Sequence, residues 1–67
     1  MKPTIDILTQ RIRGEFDEAP GLQITVAEGV RFWALDAETC ANVLSALHQA
    51  GFLVRAQDSR YHRAPAI

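Results

Sequence analysis

The side chains with the most chemistry to offer lie near the end of the chain, where Arg55, Arg60 and Arg63 stand with His62 among them. Guanidinium groups gathered in a short stretch supply fixed positive charge and paired donors, which is the chemistry that holds phosphate oxygens. A second set is polar and uncharged. Thr39 and Asn42 fall three apart in a segment of helical periodicity, so they share one face. An amide there can pair with an adenine edge, and a threonine can meet a phosphate or a thymine methyl. The arginines have an equally physical plain role, because positive charge on a solvated hairpin edge discourages edge-to-edge pairing.

Other chemistry is thinner. Cys40 is the single cysteine, so no intrachain disulfide can form, and its place on an apolar stripe predicts a buried, inert thiol rather than a redox switch. His48 and His62 have no second ligand at useful spacing, which argues against a metal. The carboxylate pairs Asp17 with Glu18 and Asp36 with Glu38 sit at helix ends, no nucleophile and base share a pocket, and no glycine-rich phosphate loop occurs. The expectation is a non-enzymatic protein without a cofactor. Phe32 and Trp33 are adjacent, and neighbouring helical positions diverge by about 100 degrees, so only one of them belongs in a core. Trp33 is the core candidate, and Phe32 is the exposed one that a partner would meet.

The elements that must position these groups belong to a chain of 67 residues. One domain is the most it can form, burying only about 60% of its unfolded surface, and a homodimer would relieve so thin a core. Hydrophobic residues make up 48% and charged ones 22%. That balance is globular and excludes intrinsic disorder. Net charge is −1, so no bulk attraction draws the chain to nucleic acid or to an anionic membrane. Positive charge collects instead after residue 50, where Arg55, Arg60 and Arg63 face only Asp58. No apolar run approaches the ~18 residues of a membrane span and no signal core opens the chain, so a cytoplasmic location is expected.

Taken in order, Thr4 and Asp6 start a helix over residues 4–18, with Ile5, Leu8, Ile12 and Phe16 as its apolar stripe. Pro20 and Gly21 stop it. Residues 22–24 alternate as a short strand able to pair beside a hairpin. Thr25 and Glu28 form a capping box for a helix over 25–33, and Ala27 and Ala34 offer small surfaces for a close helix contact. Ala34, Leu35 and Asp36 turn the chain. Asp36 caps a helix over 36–50 whose apolar face is Cys40, Val43, Leu44 and Leu47, and Gly51 ends it in a left-handed conformation. A hairpin follows over 52–63 with Tyr61 facing inward, then a tail over 64–67.

From Ile24 to Ala64 the pattern I-T-V-A-E, A-L-D, T-C, V-L-S-A-L, A-G-F-L-V-R and D-S-R-Y resembles the winged helix-turn-helix of IclR-type and MarR-type transcriptional regulators. The resemblance spans about 41 of 67 residues and implies an α+β, mostly helical fold, with three helices and a C-terminal β-hairpin wing. It further implies a DNA-binding regulator that meets double-stranded DNA as a dimer. The front of the second motif helix (Ala37, Glu38, Thr39, Ala41, Asn42) would read base edges while Arg55, Arg60 and Arg63 hold phosphates. Those positions include no lysine, arginine or histidine; Ala34 stands where such regulators usually place glycine, and Gly29 where they usually place a larger apolar residue. The alternative expectation is a protein-interaction or dimerisation module that keeps the fold, has lost DNA readout, and uses Phe32 to pair with itself or with a larger regulator.

Overall fold

A computed structural model describes residues 5–65. The cap expected at Thr4 and the last two residues of the tail lie outside the described residues. The chain forms α1 (Ile5–Glu18), β1 (Gln23–Ile24), α2 (Val26–Phe32), α3 (Ala37–Gln49), β2 (Leu53–Arg55) and β3 (Tyr61–Arg63). The result is a small α+β domain of three helices and a three-stranded antiparallel sheet, a layout compatible with a winged helix.

Local chemistry sets the boundaries. Thr25 accepts from the Glu28 amide at 3.1 Å while the Thr25 amide donates to Glu28 Oε1 at 2.9 Å, so the capping box is closed in both directions. Asp36 caps α3 through a bond from the Thr39 amide at 3.0 Å. At the other end of α3, Gly51 takes a φ of +82°. Its amide donates to the His48 carbonyl and that of Phe52 to the Leu47 carbonyl, each at 3.0 Å. These are the paired bonds of a Schellman stop. After α2, Ala34 makes the same left-handed excursion with a φ of 54°. It does so without glycine's freedom. The Leu35 amide then reaches the Val30 carbonyl at 3.1 Å and closes that helix end.

The strand order is β1-β3-β2, so β3 is central and β1 pairs it through Gln23–His62 and Ile24–Tyr61. The expected strand over 22–24 is thus two residues long, with Leu22 packed against the core just outside it. In the hairpin, the Ser59 amide bonds the Ala56 carbonyl and Ser59 itself is left-handed at φ +69°. That excursion turns the chain back into β3.

Ile12, Phe16, Ile24, Cys40, Val43, Leu44, Leu47 and Leu53 form the buried core. Both α1 and α2 pack on α3. Ala27 and Ala34 are exposed, and the tight approach of α2 to α3 falls at buried Gly29 instead. Among the described residues no helix is long and apolar enough to cross a membrane.

Candidate functional site

Five residues carry the expected nucleic-acid chemistry, and their own neighbours already engage most of them. The Thr39 hydroxyl donates to Asp36 Oδ1 at 2.7 Å, so it belongs to the helix cap. Arg60 Nη1 lies 3.2 Å from Glu28 Oε1 and Arg60 Nε lies 3.4 Å from Asp58 Oδ2. Arg63 Nη1 lies 2.7 Å from Asp17 Oδ1. Arg55 is exposed and makes one long bond, 3.4 Å from Nη2 to Ser59 Oγ. Asn42 is exposed on α3.

These contacts tie the hairpin to the helices. Phe52 is the shared surface: the Arg13 guanidinium sits 4.5 Å from its ring centroid and that of Arg63 sits 5.2 Å away. Both lie over the ring face, where its negative charge density attracts a cation. The roles of Asp17, Glu28 and Phe52 were not legible from sequence order, because each partner comes from a different element. The exposed side of α3 presents Glu38, Asn42, Ala46 and Gln49 and brings no cation of its own.

Carboxylate environments agree with this picture. The Glu28 pKa is held below the ordinary value, first by the Thr25 amide, with the Arg60 charge acting in the same direction. Asp36 is lowered chiefly by the Thr39 hydroxyl and then by the Thr39 amide. Cys40 is buried in the core, its Sγ 3.6 Å from the Val26 carbonyl. Burial raises its thiol pKa, since the thiolate would lose its hydration. No group of three or more metal-binding side chains occurs among the described residues.

A different surface is open. Phe32 is 62% exposed, while Trp33 packs tilted on Phe16 with centroids 6.0 Å apart. Phe32 meets the Trp33 ring edge-on at 5.6 Å and stands between two depressions. One, of about 470 Å³, is shallow and lined by Gln23, Ile24, Glu28 and Arg31. The other is a groove of about 310 Å³ whose α1 wall is Leu8, Arg11, Ile12 and Glu15. Its opposite wall is Phe32 to Leu35, around the α2–α3 turn. Trp33 Nε1 is buried without an acceptor among the described residues.

No family model matches the chain, and neither does any curated protein or solved structure. The residues and their geometry therefore carry the functional argument alone.

Proposed function

We propose that the chain adopts a winged helix used as a protein-interaction module, with Phe32 at the centre of its docking surface. The observation that carries this reading is the contrast between the two candidate surfaces. Arg60 and Arg63 are spent on Glu28, Asp58 and Asp17, whereas Phe32 stands 62% exposed between a shallow, mostly apolar depression and a groove whose walls mix Leu8, Ile12 and Leu35 with Arg11 and Glu15. Large exposed aromatics beside concave surface, apolar at the centre and polar at the rim, are the usual anchors of protein interfaces. A polyanion would meet the opposite situation. Each arginine it drew away would leave a carboxylate beside the phosphates, and the attraction gained would be small.

The test is a photo-crosslinking side chain placed at residue 32 and, separately, at residue 42, with the chain made in its native cells. Polypeptide adducts from position 32, and few from position 42, are the expected result. Nucleic-acid adducts from position 42 with none from position 32 would overturn it.

Double-stranded DNA is the second reading, favoured by the exposure of Asn42 and Arg55, the two expected contacts that no carboxylate holds among the described residues. In that reading the protein is a small DNA-binding transcriptional regulator acting as a dimer, with weak base selectivity from Asn42.

A further inference from the structure

We infer that the occupant of the groove between α1 and the α2–α3 turn is a second copy of this chain, paired about a two-fold axis. The inference rests on the docking reading above and names its partner. The two flanks of α1 are used differently. Arg13 and Asp17 face the hairpin, against Phe52 and Arg63. Arg11 and Glu15 line the groove on the other flank, and neither joins an ion pair among the described residues.

Their order and spacing indicate what the groove fits. Arg11 precedes Glu15 by four residues, the weaker orientation for a pair within one helix, because each charge opposes the helix dipole. Four residues advance a helix by about 6 Å. An antiparallel copy centred between them sets Arg11 of each chain against Glu15 of the other, forming two identical pairs. A groove of one sign would call for a partner of the other sign; this one is complementary to itself, as a two-fold interface requires.

Shape and apolar area agree. Gly14 lies at the level of such a pairing, to one side of the Arg11 and Glu15 face, and a Cβ built there meets nothing within 4 Å, so no side chain stands at that edge of the contact. Among the described residues, Ile7 on α1 and Phe32 on α2 are the most exposed large apolar side chains, at 64% and 62%. Covering Phe32 removes from water the surface that so small a core leaves outside.

Sedimentation equilibrium of the purified full chain tests the proposal. An interface smaller than the standard ~800 Å² per partner associates weakly, so the mass should double only at concentrations above about 10 μM. Arg11→Glu and Glu15→Arg should each weaken the dimer about tenfold or more, since either one sets like charges together twice in the symmetric pair. The exchanged variant carrying both should return to within about threefold of the unaltered chain. Circular dichroism confirms that each variant is folded.

A chain that stays monomeric to about 1 mM, or an exchanged variant no better than the single ones, overturns self-pairing. If residue 32 then still crosslinks to a larger polypeptide, the docking reading stands with a foreign partner. If it crosslinks to nothing, both fall.

Discussion

Gly29 sits buried in α2, and a Cβ built on it would lie 2.7 Å from Cys40 Sγ and 2.9 Å from Trp33 Cζ3. Neither neighbour has freedom to move, because Cys40 is fully buried and the indole is packed on Phe16. Gly29→Ala should therefore cost ~1–3 kcal/mol through overpacking, despite alanine's better helix propensity. Urea unfolding measures it. Against Cys40→Ala as background the penalty should shrink without vanishing, because the Trp33 contact persists, and an unchanged penalty would place the strain elsewhere. At about 0.1 kcal/mol per residue so short a chain has a total stability of about 7 kcal/mol, so the effect is large. Sequence marked Gly29 only as a departure from the pattern the chain otherwise resembles. What it did not show is that Trp33 and Cys40 already fill that volume, since three-dimensional packing decides which small residue marks a close approach. The Phe32 and Trp33 assignment was legible because it needs only helix geometry.

Elements were more legible than their neighbours, because the signals that start and stop them are local. Thr25 with Glu28, Asp36 before α3 and Gly51 after it act over three or four residues of chain, and each makes the expected bond or conformation. The Asp36 cap carries a pH signature. Its folded-state pKa is depressed, chiefly by the Thr39 hydroxyl. Its contribution to stability is therefore present above the unfolded carboxylate's pKa and is lost as pH falls through the folded one. Asp36→Ala should destabilise the domain at neutral pH, and that deficit should narrow as the solution is acidified. Asp36→Asn is the control. Asparagine caps about as well as aspartate and does not titrate, so this variant should stay close to the unaltered chain at neutral pH and lose less stability in acid. Thermal melts of the three proteins from neutral to acidic pH follow both trends. An Asp36→Ala deficit constant across the range would mean the carboxylate charge has no part in the cap.

At the scale of the whole molecule, the decisive quantity is where the charge of seven basic and eight acidic residues ends up once the chain is folded. In sequence the last quarter is a positive segment; in space Asp17 from α1 and Glu28 from α2 come to meet it. This is the part of the candidate site that sequence order conceals, because ion pairs across elements follow from topology. Removing those two partners releases Arg63 and leaves Arg60 only the solvent-exposed 3.4 Å contact with Asp58 in its own turn, a weak hold. Glu28→Gln keeps the capping box, which glutamine also closes, and Asp17→Asn is near-isosteric, so the double variant should fold with its net charge raised by two. Mobility shifts on random duplex at low salt then separate the readings. The unaltered chain should leave the duplex unretarded, while the double variant should retard it with binding that falls as salt rises. A slope of about −2 in log K against log salt is expected for two phosphate-neutralising arginines. Retardation by the unaltered chain with a slope that steep, flattened by about one in Arg60→Ala and in Arg63→Ala, would mean that phosphates outcompete Glu28 and Asp17. The hairpin would then be a nucleic-acid contact after all, and the groove beside Phe32 would serve to join two DNA-binding copies.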